Sequence, residues 1–82
     1  MAETLGDRIR LARARVRMTQ AELARRIGIS TTAMNAIEGG DTDPRASRIR
    51  AIADVLEVST DYLLGRKSES EFVAAAVALV GA

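Results

Sequence analysis

Leu5, Ile9, Ala12 and Val16 recur at helical spacing and predict a first helix over about residues 5–16 with one apolar face. Arg8, Arg15 and Arg17 fall off that face, and Met18 follows as a core plug. A second helix is predicted from Thr19, where Thr19-Gln20-Ala21-Glu22 fits a capping box with Thr19 as N-cap and Glu22 at N3. Leu23, Ala24 and Ile27 give its inner face, and Gly28 stops it as a C′ glycine would. Ser30 is a second N-cap and opens a third helix over about residues 31–38, with Met34 and Ile37 pointing inward. Gly39-Gly40 ends that helix, and residues 41–44 make a loop.

A fourth helix is predicted over about residues 46–56, burying Ile49, Ile52, Ala53 and Leu56. Ser59 caps a short fifth helix over residues 60–64, closed by Gly65. A polar joint, residues 66–70, leads to a last helical segment over residues 71–80. That segment has few polar residues on any face, so it needs something to pack against. The expected fold is therefore all-α, with five core helices and a short sixth at the C-terminus. Residues 1–65 form the domain, and residues 66–82 form the joint and apolar tail.

At 82 residues the chain is long enough for one core and too short for two. Tyr62 and Phe72 are its only aromatic residues, so the core must be aliphatic. The chain has no cysteine and no histidine, which removes disulfides, zinc fingers and thiol or imidazole catalysis together. The longest apolar run, residues 72–82, is too short to span a bilayer. The N-terminus is charged early and carries no signal-like apolar run, so the expected location is cytoplasmic.

The net charge of +1 conceals an asymmetry. Residues 1–50 hold ten arginines against six acidic residues, whereas residues 51–82 are net negative. Arginine without lysine over the first part suits phosphate contacts as well as a solvated helical surface.

Two short helices with a three-residue turn outline a helix-turn-helix unit. The residues then match closely: GDRIRLAR at 6–13, MTQAELARRIGIS at 18–30, MNAIEGG at 34–40, Pro44, and IADVLEVSTDYLL at 52–64. In these stretches the chain resembles the phage-repressor-like (Cro/repressor, xenobiotic-response-element) helix-turn-helix family. The resemblance implies a five-helix domain that dimerises on double-stranded DNA as a transcriptional regulator, without a cofactor or metal.

In that family the third helix enters the major groove while the second crosses the backbone. The base-facing candidates are then Thr31, Thr32, Asn35 and Ala36. Helix geometry favours the same four, because Met34 and Ile37 claim the inner face. Asn35 can bond adenine N6 and N7 together, and Thr or Ala methyls can meet the thymine methyl. The resemblance assigns phosphate contacts to Gln20, Ser30 and Arg45. It also implies an ion pair, Arg13 with Glu38, that fixes the third helix against the first. The apolar tail, with Phe72, Val73, Ala76, Val77, Leu79 and Val80, is expected to be buried in a two-fold homodimer contact, which suits a palindromic operator; the alternative is that it folds back over its own domain and covers an apolar patch beside the fifth helix.

The chain departs from the family at four places. Arg17 and Glu57 stand where glycines are usual, and Ala36 stands where a long polar or basic side chain is common. Asp41 and Asp43 put negative charge in a loop that should lie close to phosphate. The alternative reading is a protein-interaction module on the same fold, for example an antitoxin with a toxin as partner. An enzyme is disfavoured, since Gly39-Gly40 is followed by no phosphate-loop signature and five short helices leave little room for a cleft.

Overall fold

The structure is a computed structural model that describes residues 4–66. The described residues form five helices: α1 (Leu5–Arg15), α2 (Gln20–Ile27), α3 (Thr31–Gly39), α4 (Ala46–Leu56) and α5 (Thr60–Leu63). The expected sixth helix lies outside the described residues.

Four of the five helices begin on a hydroxyl that satisfies a free backbone N–H. Thr4 accepts from Asp7 N at 3.0 Å, Thr19 from Glu22 N at 3.1 Å, Ser30 from Ala33 N at 3.0 Å and Ser59 from Tyr62 N at 3.0 Å. The complete capping box is at Thr4, where Asp7 returns a bond to the Thr4 N–H. At Thr19 the expected box is half made: the Glu22 carboxylate turns along its own helix to Arg26 at 3.2 Å. An ion pair one turn away competes for the same carboxylate.

The core is aliphatic apart from Tyr62. Ile9 and Ala12 of α1 meet Leu23 and Ala24 of α2, Met34 and Ile37 of α3, and Ile52, Ala53 and Leu56 of α4. Each fully buried Leu, Ile or Met contributes about 1.5–3 kcal/mol relative to exposure. Val16 was expected on this face but is 46% exposed. α1 ends at Arg15, so Val16 lies in the following turn and the helical register no longer carries it inward. Ile49 is only partly buried and packs on the margin of the core.

The helix ends differ in chemistry. Gly28 and Gly40 close α2 and α3 in the left-handed region, where glycine is unstrained. Arg17 (φ 55°) and Glu57 (φ 57°) make the same kind of turn with a side chain attached. Each side chain costs about 1–2 kcal/mol there.

Gly6 serves another purpose. It is buried within α1, and a Cβ added to it would overlap the backbone carbonyl of Glu38. The missing side chain lets α1 lie directly against the C-terminal turn of α3. α3 is thereby packed between α1 and α2, and α4 closes the other side of α2.

Candidate nucleic-acid interface

The third helix has two distinct sides. Met34, Ile37 and Glu38 are buried. Thr31, Thr32 and Asn35 are exposed, and Ala36 is half-buried. The four expected base-facing residues therefore share a surface, with the two threonines in the first turn and Asn35 and Ala36 one turn later.

Neighbouring elements frame that surface. Gln20 is the first residue of α2, and its Nε2 donates to Asn35 Oδ1 at 3.5 Å. The bond is long and exposed, yet it places the two side chains in one patch. Ser30 Oγ accepts the Ala33 N–H, which leaves its own O–H able to donate outward. Arg45 is the N-cap of α4 but makes no side-chain cap bond. Arg45 and Arg48 line an open groove of about 550 Å³ together with Ala33 and Ala36 of α3 and Pro44. The start of α4 thus adjoins the outer face of α3. Asp43 lines the same groove, and Asp41 is exposed beside it.

The inner side is locked by charge. The Glu38 side chain is fully buried, and Arg13 meets it with two bonds of 2.9 Å, Nε to Oε2 and Nη2 to Oε1. Arg13 Nη1 also donates to the Met18 carbonyl at 3.0 Å, tying the α1–α2 connection into the same cluster. Arg10 adds a second cation: its Nε lies 3.5 Å from Glu38 Oε1, and its Nη2 donates to the Glu38 carbonyl at 2.7 Å. Bidentate, charge-assisted bonds of this kind fix orientation as well as distance.

Gly6 and Arg10 are not among the residues that the sequence singles out. A signal existed, because residues 6, 10 and 13 lie on one stripe of α1. The tail residues Phe72, Val73, Ala76, Val77, Leu79 and Val80 lie outside the described residues. Among the described residues no group of acidic side chains could hold a metal ion, and no helix is long and apolar enough to cross a membrane.

Comparison with known proteins places this geometry. Residues 4–64 match the family described as the helix-turn-helix domain. Repressor protein C2 of Salmonella phage P22 is 34% identical over 62 residues, which cover 76% of this chain and 29% of that protein. The transcriptional repressor RstR of the cryptic phage CTXphi, from Vibrio cholerae serotype O1 (strain ATCC 39315 / El Tor Inaba N16961), is 38% identical over 65 residues, covering 79% and 58%. The uncharacterized HTH-type transcriptional regulator YazB of Bacillus subtilis (strain 168) is 42% identical over 62 residues, covering 76% and 90%. The crystal structure of the P22 c2 repressor in complex with synthetic operator 9T aligns with a TM-score of 0.71 at 34% identity, covering 76% of this chain and 94% of that one. The chain spans 29% and 58% of the two phage repressors, and nearly the whole of YazB. From Thr4 to Leu64, the chain belongs to the phage-repressor-like helix-turn-helix family.

Proposed function

We propose that the chain binds double-stranded DNA in a sequence-specific manner as a transcriptional regulator, a cytoplasmic dimeric repressor on an inverted-repeat operator. One observation carries this reading. The inner side of α3 is fixed by buried packing and the Glu38 cluster, while its outer side leaves Thr31, Thr32 and Asn35 exposed, with the half-buried Ala36, beside Arg45 and Arg48. The relative P22 c2 repressor has been solved with a synthetic operator, which supports carrying the same mode across.

Thr31, Thr32, Asn35 and Ala36 meet base edges in the major groove. Gln20, Ser30 and Arg45 hold the flanking phosphates and set the register. Arg13 and Glu38 touch no DNA and hold α3 in place. Phe72, Val73, Ala76, Val77, Leu79 and Val80 join two copies about a two-fold axis, so that two α3 helices meet a palindrome about one helical turn apart.

Selection of bound duplexes from a random pool tests this directly. An inverted repeat is the expected product. A pool that stays random, or binding to DNA that does not weaken as salt rises, would leave the DNA reading without support.

A further inference from the structure

The last turn of α3 carries no basic residue of its own. Carbonyls at the C-terminal end of a helix hold partial negative charge, and a cation beside them is favourable. Those of Ala36 and Ile37 accept from the backbone N–H groups of Asp41 and Gly40. That of Glu38 accepts from another helix, where Arg10 Nη2 of α1 reaches it at 2.7 Å. The cation at this end of α3 is therefore supplied by α1.

Arg10 is itself held. Its Nη1 donates to Asp7 Oδ1 at 3.2 Å, one turn back on α1. The other carboxylate oxygen, Asp7 Oδ2, accepts the Thr4 N–H at 3.3 Å and completes the cap of α1. Asp7 thus joins the first turn of α1 to the last turn of α3 through one guanidinium.

We propose that Asp7 and Arg10 are positioning residues for DNA reading, which set the tilt of the last turn of α3 and with it the discrimination at base pairs opposite Asn35 and Ala36. The inference rests on the DNA reading above and gives a role to two residues that reading leaves unused. Leverage carries it. The first turn of α3 is anchored at Ser30, whose Oγ accepts the Ala33 N–H. At about 1.5 Å of rise per residue, Thr31 lies about 1.5 Å along the axis from that anchor and Asn35 about 7.5 Å. A tilt about Ser30 moves Asn35 about five times as far as Thr31. Glu38 stands beyond both. Arg13 fixes its carboxylate, which is joined to the helix by rotatable bonds, whereas Arg10 bonds the backbone carbonyl and so holds the helix itself. Gly6 brings α1 up to the same carbonyl but has no side chain to direct it.

The Arg10 side chain is half-exposed, so the competing role is a direct hold on a DNA phosphate. Asp7→Asn separates the two. The amide keeps an oxygen for the Thr4 N–H but loses the charge and turns an NH2 toward the guanidinium. A positioning Arg10 then loosens from Glu38, and discrimination opposite Asn35 falls. A phosphate-holding Arg10, released from its carboxylate, binds every duplex more tightly and leaves discrimination as it was.

The full chain selects its operator from a random duplex pool, and anisotropy then measures affinity for each single-base-pair change, with circular dichroism confirming that every variant is folded. Asn35→Ala and Thr31→Ala mark the base pairs that each end of α3 reads. In Asp7→Asn, discrimination at the Asn35 base pairs should fall about two- to fivefold, the range of an exposed ion pair, while that at the Thr31 base pairs stays unchanged. Arg10→Lys keeps the charge that a phosphate needs but lacks the fork, and should lose at least as much at the same base pairs. Asp7→Glu keeps both charge and cap, and should retain the native profile. An unchanged profile in Asp7→Asn and Arg10→Lys, a loss spread evenly over all base pairs, or tighter binding of Asp7→Asn to every duplex with discrimination intact overturns the positioning role and leaves the DNA reading standing. A native chain that selects no sequence overturns the DNA reading and this inference with it.

Discussion

Replacing Arg13 by methionine removes a guanidinium and keeps most of the stem. The Glu38 side chain is fully buried, and Arg13 supplies its two shortest bonds, both at 2.9 Å. What remains is Arg10 Nε at 3.5 Å, on a side chain 48% exposed. Breaking one side of a buried pair costs about 3–5 kcal/mol. Arg10 keeps part of the compensation, so the lower end, about 3 kcal/mol, is expected for Arg13→Met. A chain of 82 residues has about 4–12 kcal/mol in all, so the loss is a large share of it. The midpoint of thermal unfolding should fall by about 12–24 °C.

The sharper test is the cycle with Glu38→Met. Glu38→Met alone leaves Arg13 without its carboxylate, but Arg13 is 17% exposed and can turn toward water more cheaply than a buried carboxylate can. The double variant buries no charge. It should therefore be more stable than Arg13→Met by about 1–2 kcal/mol, with a coupling of about 2–3 kcal/mol between the two positions. Urea unfolding followed by circular dichroism measures this, with an unchanged m-value as the check that the denatured state is the same. Costs that add within about 0.5 kcal/mol would refute the argument, because independent sites add and a buried charge pair does not.

Gly6→Ala should cost about 3 kcal/mol or more, since its Cβ meets backbone rather than a side chain that could move aside; an unchanged unfolding midpoint would show that α1 can retreat freely from α3. Arg17→Gly and Glu57→Gly should each raise stability by about 0.5–1 kcal/mol, the relief of left-handed strain less the added freedom of the unfolded chain, and calorimetry reads the sign. Asn35→Ala should shift preference at one operator position by about 1–3 kcal/mol, whereas Gln20→Ala and Arg45→Ala should weaken binding to all duplexes alike. Fluorescence anisotropy at fixed salt separates the two outcomes, and an unaltered specificity ratio for Asn35→Ala would move the base-reading face elsewhere.

What the sequence disclosed here was mostly local. The caps at Thr19, Ser30 and Ser59 each bond a backbone N–H three residues on, within the reach of a pattern in the sequence. The inward pair Met34 and Ile37 follows from helical spacing alone, and it fixed which residues of α3 lie outside. Val16 fails for a related reason: periodicity continues through a residue whether or not the helix does, and the left-handed turn at Arg17 was not visible in spacing. Arg10 and Gly6 were missed because their partner is on another helix. Arg10 reaches Glu38 across 28 positions: the shared stripe of residues 6, 10 and 13 shows that they face one way, but not which helix they face. Arg13 with Glu38, 25 positions apart, was legible only through family resemblance.

These long-range contacts bear on how a recognition face with short side chains can work. Thr31, Thr32, Asn35 and Ala36 are all short, and none can span a gap left by a misplaced helix. A long arginine adjusts its reach by rotating several bonds at an entropic cost, whereas a threonine or an alanine has almost no such freedom to use or to lose. Under the proposed function, the burden of alignment passes from the side chains to the helix. Along α3, Ser30 caps the first turn and Gln20 meets Asn35; at the last turn Arg10 bonds the Glu38 carbonyl, Arg13 bonds its carboxylate, and Gly6 lets α1 lie directly against that carbonyl. Arg45 and Arg48, at the adjoining start of α4, line the groove beside α3, and under the same proposal they supply the phosphate attraction that the helix face lacks. On that reading affinity and discrimination are divided between two elements, and the buried Glu38 cluster is what would keep the discriminating one at a fixed depth.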